Sequence, residues 1–258
     1  MEKKITFQNS RGTKLAGVLH LPDKKTSSAV IISHGFAANK DRIRLIKLAE
    51  TLSKNGFAAL RFDFGGCGKS EDREITLKSQ VDDLKSAINF MRKNGYSNIG
   101  LLGESLGGLT SILAYDNEIK ALVLWAPVTK SKTPSIIQKE ELQQELNERG
   151  FVIYQKDGRE FKIPKEYLEE RQAVNQKEIL SKIKSPVLII HGNKDDTIPL
   201  AQSKEAMQFL SGKSELEIIK ERDHKLDDKM DEVIHLSVKW FKKYLAPLNR
   251  VSRSISFS

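Results

Sequence analysis

The sequence has little cysteine and no long apolar run, and both absences narrow what the protein can be. Cys67 is the single cysteine among 258 residues, so an internal disulfide framework is excluded. No stretch approaches the roughly 20 apolar residues of a membrane-spanning helix, and the first residues form no apolar signal core. We therefore expect a cytoplasmic protein without integral membrane association.

The positive charge of the chain is not gathered into a binding stripe. The formal net charge is +9, but it comes mostly from lysines scattered among glutamates, and the basic runs are short pairs such as Lys24-Lys25. Because no basic stripe interleaves with aromatic residues, we expect no nucleic-acid partner. The 39% hydrophobic and 30% charged residues are typical of a globular chain that can bury a full core.

A glycine-rich segment raises the question of nucleotide binding. Residues 62–70 read FDFGGCGKS and end like a phosphate-binding loop. Such a loop needs glycine five residues before its last glycine, but Asp63 occupies that position, and most of residues 71–74 are acidic. We therefore expect no phosphate binding, and the segment needs another explanation.

Short apolar runs alternate with stretches of helical periodicity along most of the chain. Strands are predicted at 3–9 and 14–21, which form a hairpin, and at 28–33, 57–62, 98–103, 121–126, 187–190 and 216–219. Helices are predicted at 42–55, 77–91, 106–116 and 230–245. This alternation predicts an α/β fold with a mostly parallel sheet covered by helices on both faces. Reactive groups in such folds lie at the carboxyl ends of the strands.

More than fifty residues between Pro127 and Ser185 interrupt the alternation. They include FVIYQKDGREFKI at 151–163, where two strand-like runs surround Asp157-Gly158, a strong signal for a two-residue hairpin turn. Helical patterns flank this hairpin, and a structureless loop of such length is uncommon, so we predict an inserted subdomain. The predicted organisation is a core of residues 1–127 and 185–248, a lid subdomain at 128–184 and a frayed tail at 249–258.

The strongest chemical signal is GESLGG at residues 103–108. It fits G-x-S-x-G, directly after a predicted buried strand and directly before a predicted helix, which is the setting of a nucleophile elbow. Ser105 is the predicted nucleophile. Gly103 and Gly107 are expected because side chains at these positions of so tight a turn would clash.

A serine hydroxyl needs a base, and the base needs an acid that orients it. In this kind of fold both are expected after the serine, in the order acid then base, at the ends of later strands. Asp195 follows the strand at 187–190, and His224 follows the strand at 216–219. We therefore predict Asp195 as the acid and His224 as the base.

Other polar residues compete for these roles. Asp196 is the second choice for the acid, and Asp223 is expected to order its own loop. The remaining candidates for the base are expected to be structural, namely His20, His191 and His235.

The oxygen that becomes negative during attack on a carbonyl must be met by N–H donors. One expected donor is the backbone N–H of Leu106, directly after the nucleophile. The second is expected in the loop that follows the strand at 28–33, where His34-Gly35-Phe36 makes a sharp turn. We choose the N–H of Phe36.

The motifs SHGFAANK, LRFDFGGCGKS, GESLGG, HGNKDDTIP and DHKL follow one another at characteristic spacing. With them the chain resembles the α/β-hydrolases, in the esterase branch that includes cinnamoyl and feruloyl esterases, near the monoacylglycerol-lipase and serine-aminopeptidase-like groups. The resemblance implies Asp195 as acid, His224 as base, and no metal or organic cofactor. It also implies that the insert is similar to the lid of cinnamoyl esterases.

The resemblance explains the glycine-rich segment as well. FDFGGCGKS matches the family's D-x-x-G-x-G-x-S loop, a tight turn beside the active site. The chain departs from the family pattern at Cys67, where His is usual, and at Gly65, where Arg or Asn is common. In the elbow, Glu104 replaces a more frequent His and Leu106 a frequent Gln or Met.

These observations predict a serine hydrolase of small carboxylic esters, short-chain or hydroxycinnamoyl-type, acting through an acyl-enzyme. The alternatives left open are a peptidase or amidase, an acylglycerol lipase, an acyltransferase or thioesterase, and a non-catalytic binding protein on the same scaffold. A peptidase would need a lid carboxylate for the substrate amine, for which the lid offers Glu140, Glu141, Glu145, Glu160, Glu169 and Glu170. The oligomeric state is also open, a homodimer included.

Overall fold

The computed structural model describes residues 1–130 and 140–245. The strands are β1 (Glu2–Gln8), β2 (Lys14–His20), β3 (Ser28–Ser33), β4 (Ala58–Phe62), β5 (Asn98–Glu104), β6 (Ala121–Trp125), β7 (Phe151–Lys156), β8 (Arg159–Pro164), β9 (Val187–Gly192) and β10 (Glu215–Ile219). The helices are α1 (Ile43–Lys54), α2 (Leu77–Lys93), α3 (Leu106–Ala114), α4 (Glu140–Arg149), α5 (Lys165–Gln172), α6 (Gln176–Ser181), α7 (Leu200–Ala206) and α8 (Met230–Leu245).

Among the described residues, eight strands form one sheet in the order β1-β2-β4-β3-β5-β6-β9-β10. Strand β2 pairs antiparallel with β1 and with β4, and all later neighbours pair parallel. The predicted α/β fold with a mostly parallel sheet is therefore confirmed. Because parallel strands end at the same edge, the loops after β3, β5, β9 and β10 meet at the carboxyl edge of the sheet.

Apolar side chains cover both faces of this sheet. In β3, Ala29 and Ile31 join the core on the face of α2 and α3, whereas Val30 and Ile32 join the core on the face of α1 and α8. Successive side chains of a strand point to opposite faces, so a central strand buried on both sides must be apolar throughout. The apolar run that predicted β3 is continuous because both faces of this strand are buried.

The chain between β6 and β9 forms a second, two-stranded sheet. Strands β7 and β8 pair antiparallel, and the turn between them has positive φ at both Asp157 (52°) and Gly158 (75°). Two successive positive φ values define the hairpin turn that an Asp-Gly pair favours, so the predicted hairpin is present. Helices α4 and α5 flank it, and α6 follows.

The division into core and lid stays a prediction, because nothing in the fold tests where one unit ends. The predicted frayed tail at 249–258 lies outside the described residues. The sequence reading also did not single out α7, a short helix between β9 and β10. Within residues 1–130 and 140–245, no helix is both long and apolar enough to cross a membrane.

Candidate active site

Ser105 lies at the carboxyl end of β5, between this strand and α3. Its backbone has φ 54° and ψ −114°, a conformation that costs energy in any residue with a side chain. Hydrogen bonds hold it there: its N–H donates to Trp125 O at 2.8 Å, and its carbonyl accepts from the N–H groups of Gly108 and Val128, each at 3.0 Å. The surrounding backbone therefore fixes the direction of the Ser105 side chain.

The two glycines of the elbow allow close backbone contact. A Cβ atom on Gly103 would lie 2.3 Å from Gly107 O, and one on Gly107 would lie 2.4 Å from Ser33 O. Real Cβ atoms do not approach carbonyl oxygens so closely, so either substitution would force the backbone apart. This close approach is the reason the sequence reading gave for both glycines.

The structure brings the three predicted triad residues together. His224 Nε2 lies 3.0 Å from Ser105 Oγ, and His224 Nδ1 lies 2.7 Å from Asp195 Oδ2. The second choice for the acid, Asp196, is exposed, and its Oδ1 accepts a 3.3 Å hydrogen bond from Thr197 Oγ1 instead. Of the two candidates for the acid, Asp195 is therefore the one that contacts the imidazole of His224.

Asp195 is only 8% exposed, and its carboxylate is fully hydrogen-bonded. The N–H groups of Thr197 and Ile198 donate to Oδ1 at 3.0 and 2.8 Å, and His191 Nε2 lies 3.0 Å from Oδ2. Burial alone would raise the pKa of Asp195, but the hydrogen bonds from His191, His224 and the Ile198 N–H outweigh it and hold the pKa well below its usual range. The carboxylate therefore stays ionised near neutral pH, as an orienting acid requires.

His191 contributes more to this site than sequence reasoning foresaw. Its ring is fully buried, and Nδ1 lies 2.7 Å from Ser203 Oγ in α7. Because Nε2 faces the carboxylate of Asp195 and the carbonyl of Ile198, we assign the proton to Nε2, and Ser203 then donates to Nδ1. Its position near the carboxyl end of β9 was the only signal in the sequence.

The two predicted oxyanion donors, the N–H groups of Phe36 and Leu106, lie at the active-site cavity. In the parts of the chain that the structure describes, neither the N–H of Phe36 nor that of Leu106 makes a hydrogen bond. Both residues line the same cavity as Ser105 and His224. They are therefore free to donate to a substrate oxygen.

His34 fixes the direction of the Phe36 N–H. Its Nε2 accepts from the N–H of Phe64 at 3.2 Å, so Nδ1 carries the proton and donates to Gly35 O at 2.8 Å. Burial lowers the pKa of His34 and keeps the ring neutral in this tautomer. The carbonyl of Gly35 and the N–H of Phe36 belong to one planar peptide and point in opposite directions, so holding the first aims the second.

The glycine-rich loop binds its own carboxylate. Asp63 accepts from the backbone N–H groups of Lys40 and Lys69 at 2.7 and 2.8 Å, and from Lys40 Nζ at 2.9 Å. Gly68 has φ 51°, and a Cβ there would lie 2.2 Å from the Asp63 carboxyl carbon. The carboxylate occupies the centre of the turn, so the loop ties the segment after β3 to the segment after β4.

Ser105 opens into a cavity of about 390 Å³. Its apolar and aromatic lining consists of Phe36, Ala38, Leu106, Val128, Tyr154, Tyr167 and Ile198. The ring of Phe36 stacks with the rings of both Tyr154 and Tyr167, with centroids 5.6 and 5.3 Å away. Both tyrosines come from the segment between β6 and β9, so this segment supplies one wall of the cavity.

Comparison with known proteins identifies the family. The model of the family described as serine aminopeptidase, S33, matches residues 24–180, more than half of the chain. The chain belongs to this family. The mouse (Mus musculus) palmitoyl-protein thioesterase ABHD10, mitochondrial, is 26% identical over 226 residues, which make up 83% of this chain and 74% of that protein. The quorum-quenching protein AidA of Acinetobacter baumannii is 29% identical over 137 residues, 50% of this chain and 45% of that protein.

Solved structures show the same fold. The α/β-hydrolase GrgF from Penicillium sp. sh18 superposes with a TM-score of 0.81 at 19% identity, covering 96% of this chain and 100% of that chain. Est1E from Butyrivibrio proteoclasticus, solved with ferulic acid bound, superposes with a TM-score of 0.76 at 24% identity, covering 92% and 99%. The S33 family member described here is thus an α/β-hydrolase, and the predicted resemblance to that superfamily is confirmed.

The cavity of this S33 hydrolase also holds charged residues that the sequence reading did not place. Glu104, in the elbow, pairs with Arg44, whose Nη1 also lies 3.1 Å from Asp227 Oδ1. Arg42 pairs with Asp157 of the hairpin turn at 3.0 Å. Apart from Glu104, which lies in the elbow, these residues belong to no motif, so only the folded structure brings Arg42, Arg44 and Asp157 to the active site.

Proposed function

We propose that the protein is a serine hydrolase of carboxylic esters that works through an acyl-enzyme. The observation that carries this proposal is the continuous hydrogen-bond chain from Asp195 through His224 to Ser105 Oγ, which ends in the cavity. In this arrangement Ser105 Oγ attacks the ester carbonyl carbon while His224 Nε2 takes the hydroxyl proton.

The remaining steps use the same groups. The ionised Asp195 holds Nδ1–H of His224 and stabilises the imidazolium that forms. The N–H groups of Phe36 and Leu106 bind the oxyanion. His224 then gives its proton to the departing alcohol, and a water activated by His224 cleaves the ester bond between Ser105 and the acyl group.

The cavity wall supports an acyl group of modest size. A volume of about 390 Å³ is near the lower end for small-molecule sites, which span about 300–1,000 Å³. The stacked rings of Phe36, Tyr154 and Tyr167 offer aromatic faces, on which a hydroxycinnamoyl ring packs well. Short-chain and hydroxycinnamoyl esters are therefore the proposed substrates.

A thioester is the second candidate. The mouse relative, which matches 83% of this chain, is named a palmitoyl-protein thioesterase. The same triad cleaves a thioester by the same steps, with a thiol as the leaving group. Assays with both kinds of bond decide between the two candidates.

The lid glutamates do not support a peptidase that holds a substrate amine. Of the six candidates named in the sequence analysis, four have described side chains, Glu145, Glu160, Glu169 and Glu170, and none of them lines the cavity. Glu145 pairs with Arg149, and Glu170 accepts hydrogen bonds from the first N–H groups of α2. The side chains of Glu140 and Glu141 lie outside the described residues.

The test is hydrolysis of p-nitrophenyl esters from acetate to palmitate, with methyl ferulate alongside, by wild type and Ser105→Ala. Removal of a triad nucleophile costs at least about 10³-fold in kcat, so we expect turnover to vanish in the variant. A long-chain optimum would favour a lipase. A folded protein that neither cleaves an ester nor reacts with a fluorophosphonate would overturn the catalytic assignment.

A further inference from the structure

The charges around the cavity do not cancel. The charged side chains of its lining other than Arg171 are Arg42, Arg44, Glu104, Lys156, Asp157 and Lys225. Both carboxylates are already paired, Glu104 with Arg44 and Asp157 with Arg42. Within the described ranges, no carboxylate pairs with the ammonium of Lys156 or Lys225, so the lining has excess positive charge.

Lys156 is held at the cavity, and part of its bonding capacity is unused. Its side chain is half-buried, and Nζ donates to Phe36 O at 2.8 Å. An ammonium group has three N–H bonds, and this contact uses one of them. Burial, together with the nearby charges of Arg42 and Arg44, lowers the pKa of Lys156. Positive groups crowded in this way are stabilised by a bound anion.

Lys225 supplies a second ammonium to the cavity lining. It directly follows His224, and its backbone N–H donates to Asp223 Oδ1 at 3.0 Å, which fixes the start of its exposed side chain. Lys156 contacts Phe36, which carries one of the oxyanion donors, whereas Lys225 adjoins the base His224. A substrate that reaches Ser105 therefore enters a cavity whose lining includes both cationic groups.

We propose that this site selects esters or thioesters that carry a separate anionic group, a carboxylate or a phosphate, which Lys156 and Lys225 bind. The inference rests on the proposed function, since it names the substrate class of the same site. It also separates this chain from an aminopeptidase, because a substrate with a protonated amine would meet like charge at the cavity.

The experiment compares substrates that differ only in charge. The first pair is the 4-methylumbelliferyl ester of hexanoate and the monoester of adipate, which replaces the terminal methyl of the acyl chain with a carboxylate. The second pair is S-hexanoyl-pantetheine and S-hexanoyl-4′-phosphopantetheine, which adds a phosphate to the leaving group. Within each pair the bond cleaved is the same, so the ratio of the two kcat/KM values reports recognition of the anion.

We expect the anionic member of at least one pair to have the higher kcat/KM, by about tenfold or more, as for a hydrogen-bonded ion contact. A high ratio in the first pair places the anion on the acyl part, and a high ratio in the second places it on the leaving group. Raising NaCl from ~20 mM to ~500 mM should reduce the ratio, because salt screens charges near the surface.

Two lysine variants and a matched control assign the effect to residues. Lys225→Gln and Lys156→Gln should each lower the ratio, and the glutamine at 156 keeps an N–H donor for Phe36 O. Lys213→Gln is the control, because Lys213 is exposed and precedes β10, at the opposite edge of the sheet from Ser105. The control should leave the ratio unchanged.

The outcomes separate a failure of this inference from a failure of the proposed function. Turnover of neutral and anionic substrates at equal kcat/KM, with no effect of the lysine variants or of salt, would overturn the inference and leave the hydrolase in place. No turnover of any substrate, with no change between wild type and Ser105→Ala, would overturn both. If Lys156→Gln does not fold, Lys225→Gln and the salt series still decide.

Discussion

The loops that carry the triad and the segment that walls the cavity are held in different ways. Backbone hydrogen bonds and fully buried groups fix the first: Ser105 by three backbone bonds, and Asp195 by two N–H groups and His191. The second packs against the sheet region with buried side chains such as Ile163 and Tyr167, and its surface contacts are ion pairs such as that of Lys162 with Glu74 at 2.7 Å, about half exposed on both sides.

The triad loops therefore serve the reaction itself, and the wall of the cavity serves the choice of substrate. Exposed ion pairs stabilise a structure by no more than about 1 kcal/mol each, whereas a buried carboxylate that loses its partners costs several times that. The triad geometry is therefore rigid, and the wall residues that are only partly buried, Tyr154 and Lys156, tolerate change. We expect substitutions in the loops to abolish activity and substitutions in the wall to alter substrate preference.

The largest expected effect is that of Asp195→Asn. The amide cannot hold the imidazole in the required tautomer or stabilise its charge, so kcat should fall by about 10²- to 10⁴-fold. Asp196→Asn is the matched control: Asp196 is the adjacent, exposed residue and does not touch His224. Ester hydrolysis near neutral pH measures both. Equal losses in the two variants would contradict the assignment of the acid.

A smaller effect, on stability, is expected when glycine is replaced by alanine, once in the elbow and once in the hairpin turn. Gly107→Ala places a Cβ 2.4 Å from Ser33 O, so we expect about 3 kcal/mol of lost stability or failure to fold. Gly158→Ala in the hairpin turn meets no atom within 4 Å and is strained only by its φ of +75°, for about 1 kcal/mol. Urea unfolding measures the two values. A Gly107→Ala protein as stable as Gly158→Ala would remove the contrast between the regions.

The smallest effect is expected in the wall. Tyr154→Ala removes a ring that stacks on Phe36, so KM for aromatic acyl esters should rise by about 2- to 10-fold while kcat changes little. Tyr154→Phe keeps the ring and should recover most of the loss. Steady-state kinetics with methyl ferulate and methyl acetate measure the preference. A loss confined to kcat would mean that this residue acts on the triad instead.

Sequence reasoning predicted the sheet because its signals are local. The apolar run of β3 and the glycines of the elbow follow from burial and close contact at the same positions, and the order of Ser105, Asp195 and His224 follows from strand order. The wall was only partly predictable: Asp157-Gly158 predicts the hairpin, but no local pattern shows which of its side chains face the cavity. Contacts such as that of Lys156 with Phe36, 120 positions apart, depend on how the hairpin packs.

The crossover between β6 and β9 has a consequence for how the protein can evolve. These strands are parallel neighbours, and a parallel connection needs only about a dozen residues. The connection here occupies residues 126–186, so most of it is not needed to join the strands. Chain entropy opposes longer loops only weakly, by about 0.6 kcal/mol for each doubling of length. Mutation can therefore vary the exposed part of this connection, while Val128 and buried side chains such as Tyr167 keep the contacts with the reactive loops and the core, which opens a route to new substrates within one scaffold.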